Sequence, residues 1–116
     1  MSYRSDVMAV ITPKTKKTFE KYLSELKNDE LLASIVKCGE LKVNEETYVI
    51  QLYWGYIKWY EESFEEVMHF MKWLREKPNY HYIRFGEEHD DVEEEYIGDP
   101  EYYIYLHRHL SGPLDE

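Results

Sequence analysis

Residues that mark several common classes of protein are scarce in this chain. Its 116 residues include one cysteine, Cys38, so an intramolecular disulfide is excluded. No basic segment followed by a long apolar run marks a signal peptide or a membrane span. Only 14 Lys and Arg stand against 24 Asp and Glu, a formal charge of −10, which disfavours binding to nucleic acids and to anionic membranes. We therefore expect a protein of a reducing cytoplasm.

Motifs of catalysis and nucleotide binding are also missing. The sequence has no G-x-S-x-G elbow, no phosphate-binding loop and no dinucleotide-binding glycine pattern. Cys38 has no histidine near it in sequence, and we expect it to be a small, partly buried core residue at a helix end. These absences favour a binding protein over an enzyme, and we expect no cofactor.

Aromatic residues, in contrast, are abundant. There are 12 Tyr, 3 Trp and 4 Phe against 5 Gly and 4 Pro, which is not the composition of a disordered acidic chain. The length suits one globular domain over residues 1–116. Residues 111–116 are expected to form a short mobile tail.

Hydrophobic periodicity predicts alternating helices and strands. The predicted strands are residues 7–11, 41–43, 47–53, 56–59, 80–85, 92–97 and 102–110, and the predicted helices are residues 13–26, 29–38 and 63–77. The first two helices could equally be one bent helix. This order predicts an α+β sandwich in which an antiparallel or mixed sheet carries two or three helices on one face, and a ferredoxin-like variant is one form that it allows.

Helix ends and buried faces follow from local signals. Thr12 and Asp29 are the predicted caps of the first two helices, and Ser63 with Glu66 has capping-box spacing for the third. Gly55 suggests a bulge or a break between two strands. The apolar face predicted for the third helix comprises Phe64, Val67, Met68, Met71 and Leu74.

The strongest signal for function is an acidic segment. Nine of the fifteen residues 87–101 are carboxylates, and none is Lys or Arg. Asp91, Glu93 and Glu95 should form a row on one face of a strand, at a spacing comparable with that of DNA phosphates. A solvated edge that blocks strand pairing is the alternative use of such charge. The candidate partner-binding residues are Glu87, Glu88, Asp90, Asp91, Glu93, Glu94, Glu95, Trp59 and Tyr60.

Metal sites are weaker alternatives, and none is expected. The order of residues 87–91 lacks EF-hand spacing, which disfavours calcium. His107 and His109 should project from one face of the last strand, where His81 could complete a zinc or iron site with Glu93 or Glu95 as a base. Histidines so spaced on a strand more often stand exposed beside tyrosines.

Aromatic residues between 48 and 60 divide between the core and the surface. Surface tyrosines and tryptophans favour protein interfaces, which makes Trp59 and Tyr60 candidate anchors beside the acidic segment. They could also stack on a base while Arg84 or Arg108 binds phosphate. The candidate ligand-binding residues of this alternative are Arg84, Arg108, His107 and His109.

Polar residues at the N terminus precede the first buried strand. Arg4 or Arg84, paired with Asp6 or Glu87, would join this segment to the late acidic strand. We expect a structural role for such pairs rather than catalysis.

Three segments resemble a group of small bacteriophage proteins. They are M-S-Y-R-S-D-V at residues 1–7, I-K-W-Y at residues 57–60, and R-F-G-E at residues 84–87 followed by D-D-V-E-E-E at residues 90–95. That group has the patterns M-G-Y-R-S-[DE]-V and R-[IF]-G-E-x-x-x-D-[IV]-E, and Ser2 replaces the usual glycine. The resemblance implies a phage or prophage accessory gene expressed in bacterial cytoplasm, and no activity.

Together these features predict a small acidic accessory protein that binds and inhibits a host protein. The partner would be a basic DNA-binding or defence protein, with DNA mimicry as the sharpest version. The alternative is a small-ligand or nucleotide-binding protein with a pocket of Tyr, Arg and His residues, which could be enzymatic. A homodimer through an edge strand near the C terminus is compatible with either.

Overall fold

The central strand is built from the most continuous apolar run in the chain. In a computed structural model that describes residues 3–98, 104–106 and 110–115, β1 (Ser5–Ile11) pairs on both sides, and Val7 to Ile11 are each no more than 1% exposed. The other elements are α1 (Lys16–Asn28), α2 (Glu30–Lys37), β2 (Glu40–Val43), β3 (Ile50–Ile57), α3 (Glu65–Arg75), β4 (Tyr80–Gly86), β5 (Val92–Ile97), β6 (Tyr105–Leu106) and β7 (Leu110–Ser111).

The main sheet is antiparallel throughout, with the strand order β2-β3-β1-β4-β5. β1 and β2 therefore run parallel, with β3 between them, which is the split βαβ connection of a ferredoxin-like fold. β5 adds a fifth strand at the edge beside β4. The predicted α+β class is confirmed.

Alternation along the strands divides the core between two faces of the sheet. Val7, Ala9 and Ile11 belong to a cluster that includes the buried residues of all three helices. Met8 and Val10 face the other side, where Ile104 covers the sheet. The helices thus lie on one face, as predicted. None of the helices among the described residues has the length and apolarity needed to cross a membrane.

Two of the three predicted helix caps are wrong. Asp29 caps α2 as predicted, because its carboxylate accepts hydrogen bonds from the N–H groups of Leu31 and Leu32. α1 begins later than predicted and is capped by Thr15, while Thr12 is buried. α3 has Phe64 at its N-cap and no side-chain cap, so Ser63 forms no capping box.

The buried face of α3 is rotated from the predicted one. Val67, Met71 and Leu74 are buried as predicted, whereas Met68 is 50% and Phe64 36% exposed. Buried aromatic residues replace them: Phe70 and Trp73. The residues 67, 70, 71 and 74 satisfy helical spacing as well as the predicted set does, so the period alone cannot decide between the faces.

The turn before β3 delays its start, and the predicted strands 47–53 and 56–59 form one strand that runs through Gly55 and ends at Ile57. The Asn44 side chain accepts hydrogen bonds from the N–H groups of Glu46 and Thr47, which prolongs the turn and delays β3 to Ile50. A register shift opposite Gly55 marks the predicted bulge rather than a break. Cys38 is exposed and not partly buried.

The C-terminal segment departs from the predicted third strand of a meander. Its described parts, β6 and β7, pair with each other in a separate two-stranded sheet. Residues 112–115, expected to lie in a tail, contact the main sheet: Asp115 Oδ1 accepts hydrogen bonds from Gln51 at 2.9 Å and Lys42 at 2.7 Å. His107, Arg108 and His109 lie outside the described residues.

Candidate functional site at the acidic edge

The described part of the acidic segment, residues 87–98, forms strand β5 and the turn that precedes it. β5 pairs with β4 in a register that places Glu93 opposite Arg84 and Glu95 opposite Tyr82. Asp91, Glu93 and Glu95 do share one face, as predicted. That face is the helix-covered one, because Tyr82 and Tyr80 of β4 pack there with the helices.

Arg84 neutralises the first half of this row. Its Nη2 lies 2.6 Å from Asp91 Oδ1 and its Nη1 3.2 Å from Asp91 Oδ2, and its Nε donates to Glu93. The Arg84 side chain is only 12% exposed. Burial alone would lower the pKa of Arg84, but the hydrogen bonds with the two carboxylates raise it above its usual value. The same bonds from Arg84, with one from Tyr3, lower the pKa of Asp91.

Arg75 neutralises the second half from the end of α3. Its Nη2 lies 2.6 Å from Glu95 Oε2, and its Nη1 donates to Glu61. Hydrogen bonds from Arg75 lower the pKa of Glu95. Tyr80 donates its hydroxyl to Glu95 at 2.9 Å, and burial with this contact raises the pKa of Tyr80 to about 12.

The N-terminal segment is tied to the acidic turn, but through different atoms from those predicted. Tyr3 donates its hydroxyl to Asp91 Oδ2 at 2.5 Å and accepts a hydrogen bond from the N–H of Glu88 at 3.1 Å. Arg84 Nη1 donates to Ser5 Oγ at 2.9 Å. The two segments do join, whereas Arg84 pairs with Asp91 and Glu93 instead of Asp6 or Glu87.

Arg4 contacts Glu87 through its backbone N–H, whereas the sequence predicted an ion pair through its side chain. Its N–H donates to Glu87 Oε2 at 3.1 Å, and its guanidinium lies 5.1 Å from the centre of the Tyr56 ring. Asp6 accepts a hydrogen bond from the Tyr56 N–H at 2.8 Å. In place of the expected salt bridge of Arg4 with Asp6 or Glu87, the Arg4 N–H positions Glu87, and Asp6 positions Tyr56.

Tyr56 is the most exposed large aromatic side chain among the described residues, at 67%. Its backbone is left-handed, with φ of 52°, a conformation that costs energy for a residue with a side chain and is enriched at functional sites. Tyr56 and Glu87 line one depression of about 200 Å³. We call Tyr56, Glu87, Glu88 and Asp90 the acidic–aromatic patch; all four are exposed.

The sequence did not single out Tyr56, because alternation along β3 gives no sign of the bulge geometry that turns its ring outward.

The two predicted aromatic anchors, Trp59 and Tyr60, do not belong to the acidic–aromatic patch. Trp59 is 5% exposed and donates its indole N–H to the Tyr82 hydroxyl, so it is a core residue. Tyr60 is half-buried, and its hydroxyl donates to the Tyr3 carbonyl.

A groove of about 1170 Å³ lies between α3 and the β4–β5 hairpin. Its lining includes Tyr3, Trp59, Tyr60, Arg75, Arg84 and Asp91. Of the residues predicted for a ligand pocket, Arg84 lies in this lining, while His107, Arg108 and His109 lie outside the described residues. Each guanidinium in the groove is already bound to two carboxylates, which reduces what it can offer to an anionic ligand.

His81 is buried, and each of its ring nitrogens lies within hydrogen-bond distance of a partner. Its Nδ1 accepts a hydrogen bond from the Ile104 N–H at 3.1 Å, and its Nε2 lies 2.6 Å from Glu94 Oε2. Glu94 points to the other face of β5 from the arginine-bound row. Over residues 3–98, 104–106 and 110–115, no group of three His, Cys, Asp or Glu residues is arranged to hold a metal ion.

Comparisons with known proteins leave the site to be interpreted from its own geometry. No protein-family model, curated protein or solved structure matches the chain.

Proposed function

We propose that this protein binds a basic protein through the acidic–aromatic patch. Glu87, Glu88 and Asp90 present carboxylates on the turn between β4 and β5, and Tyr56 adds a large apolar surface with a polar tip. Such a combination suits recognition of Lys and Arg side chains around an aromatic contact. The resemblance to phage proteins implies a phage or prophage origin, which would make the target a host protein, and we propose that binding inhibits this target.

The observation that carries this proposal is that specific side-chain contacts hold both Tyr56 and the acidic turn in place. Asp6 and Arg4 fix Tyr56 in its left-handed conformation. Tyr3 fixes the turn through Asp91 and the Glu88 N–H. A surface ordered before binding loses less conformational entropy when the partner docks.

DNA mimicry receives less support than binding through the turn. A mimic needs a row of uncompensated negative charges, whereas Asp91, Glu93 and Glu95 each accept hydrogen bonds from an arginine. Among the described residues of the acidic segment, the carboxylates without an arginine side chain as partner are those on the turn and Glu94, which lies 2.6 Å from His81 Nε2. We therefore assign recognition to the patch and a structural role to the row.

Affinity capture from bacterial lysate tests the proposal with three proteins. The first is wild type, and the second carries Glu87→Gln, Glu88→Gln and Asp90→Asn. The third is a control that removes as many charges elsewhere, through Glu20→Gln, Glu45→Gln and Glu46→Gln, all exposed. We expect wild type and the control to retain the same basic protein, released by salt, and the patch variant to lose it.

A Tyr56→Ala variant separates a specific contact from simple charge attraction. It should lose the same partner although its net charge is unchanged. Equal capture by wild type and the patch variant would reject the proposal, as would equal loss in the patch variant and the charge control.

A small anionic ligand in the groove is the second candidate, favoured by its volume and its tyrosine and arginine lining. A nucleotide bound there would raise the melting temperature in a concentration-dependent way. It would do so less in an Arg84→Lys variant, because the planar guanidinium can no longer form paired bonds. No shift with mono-, di- and triphosphates at millimolar concentration would reject this candidate.

A further inference from the structure

The sheet ends on its other side at β2, where apolar side chains are exposed. Leu41 and Val43 are 41% and 40% exposed. They pair with Leu52 and Ile50, so they lie on the helix-covered face. Together with residues of α1 and α2 they line an apolar groove of about 460 Å³, which includes Leu23, Leu26, Ala33 and Val36. An apolar groove at a sheet edge is a surface suited to another polypeptide.

The backbone of β2 also has hydrogen-bonding groups to offer. In an antiparallel pair, alternate residues bond to the neighbouring strand and the others point outward. The Asn44 N–H donates to the Val49 carbonyl at 3.0 Å, which makes residues 40, 42 and 44 the ones that bond to β3. The N–H and C=O groups of Leu41 and Val43 therefore point away from the sheet. Within the described part of the chain, no strand pairs with this side.

We propose that a second copy of this chain pairs with this edge, with two β2 strands antiparallel about a two-fold axis at Lys42. Positions equidistant from the axis then face each other, so Leu41 of each copy lies opposite Val43 of the other. Their outward backbone groups form four hydrogen bonds, and their side chains meet on the helix-covered face. The edge is complementary to itself in backbone and in side chains, which is why we choose a second copy as the occupant.

Charge at the axis is compatible with this pairing. Lys42 faces its symmetry mate, and like charges directly opposite each other oppose pairing. However, the Lys42 ammonium lies 2.7 Å from Asp115 Oδ1, so each copy brings a neutral pair. Lys27 and Lys37 at the groove can cover apolar surface with their stems while their charges stay in water. The acidic edge lies at the opposite end of the sheet, which keeps its charge away from the contact.

This inference is independent of the proposed function, because it uses the opposite edge of the sheet. Disulfide cross-linking tests its register in a Cys38→Ser background. Lys42→Cys places two thiols opposite each other at the axis, where facing Cα atoms are about 4.5 Å apart, within disulfide reach. The matched control is Glu40→Cys, also exposed and on the same face of β2, whose two copies would be more than about 10 Å apart.

Mild oxidation should convert most of the Lys42→Cys protein to a covalent dimer and little of the Glu40→Cys protein. Cross-linking of both to the same extent, or of neither, would overturn the proposed register.

Mass measurement by light scattering tests the dimer without cross-linking. Wild type should rise from 14.2 kDa toward twice that mass as its concentration increases from about 1 µM to 1 mM, a range that spans weak, reversible association. Val43→Pro removes an outward N–H that β3 does not use, so it should remain monomeric with a wild-type fold by circular dichroism. A wild type that is monomeric throughout, or a Val43→Pro variant that dimerises equally, would contradict the proposal.

Discussion

The two edges of the sheet present different chemistry to a partner. On β5, Glu93 and Glu95 turn toward the helices and bind arginines, Glu94 is exposed on the other face, and the turn before the strand carries further exposed carboxylates. Three carboxylates thus separate the exposed apolar residues of β5, which are Val92, Tyr96 and Ile97. On β2, the charged Lys42 is bound to Asp115, and Leu41 and Val43 are exposed. Charged edge strands resist pairing with other strands, whereas apolar ones permit it. The acidic edge is thus suited to binding through side chains, and the β2 edge through its backbone.

The largest effect on the acidic edge should come from Arg84→Leu. Arg84 is largely buried and holds Asp91, Glu93 and Ser5 together, so its loss leaves carboxylates without their cation. We expect a loss of about 3 kcal/mol in the free energy of unfolding, at the low end for a broken buried ion pair because Asp91 is 30% exposed. Urea unfolding measures it. A loss no larger than that of an exposed lysine control, Lys16→Leu, would show that the cluster contributes little.

Acid should weaken the same edge. The folded-state pKa values of Asp91 and Glu95 lie below the ordinary values of 3.8 and 4.5. Groups with a lowered folded pKa stabilise the fold above the unfolded pKa, and this stability is lost as the pH falls through the folded pKa. Stability should therefore fall as the pH decreases below about 4.5.

An Asp91→Asn variant provides the control for this pH dependence. It should be less stable than wild type at neutral pH and should lose less stability on acidification. Parallel stability curves for the two proteins would argue against a contribution from Asp91.

Tyr3→Phe should have an intermediate effect. It removes the hydroxyl that donates to Asp91 and accepts from the Glu88 N–H, while the ring is retained. A hydrogen bond to a charged group stabilises more than one between neutral groups, and we expect a loss in the free energy of unfolding that lies between those of Arg84→Leu and Arg75→Leu. Amide exchange at residues 86–91 should also accelerate. Exchange at wild-type rates would mean that Tyr3 does not order the turn.

Arg75→Leu should have the smallest effect of the four changes. Arg75 binds Glu95 and Glu61, but its side chain is 42% exposed, and exposed ion pairs contribute about 0.5 kcal/mol. Urea unfolding of this variant beside Arg84→Leu compares the two arginines directly. An equal or larger loss for Arg75→Leu would reverse the order that burial implies.

Much of the fold follows from local signals in the sequence. The five consecutive buried residues of β1, the Asp29 cap and the two-residue period that places Asp91, Glu93 and Glu95 on one face each depend on neighbours in the chain. The two-residue period does not predict whether the row of Asp91, Glu93 and Glu95 lies on the helix-covered face or on the other face of the sheet, because that depends on where the helices pack.

Arg84 lies only seven and nine positions from Asp91 and Glu93, whereas other contacts of the acidic row join residues far apart in sequence. Arg75 is 20 positions from Glu95, and Tyr3 is 88 from Asp91. No spacing rule links such pairs before the strand order is known. The exposed Tyr56 was missed for another reason: its left-handed backbone follows from the bulge opposite β1, which alternation does not describe.

Hydrogen–deuterium exchange on the wild-type protein, with and without the basic protein that it captures, tests the central claim most directly. Binding through the acidic–aromatic patch should slow exchange at residues 55–57 and 86–91 and leave residues 40–44 unchanged. Slowed exchange confined to residues 40–44, with none around Tyr56 or the acidic turn, would contradict it.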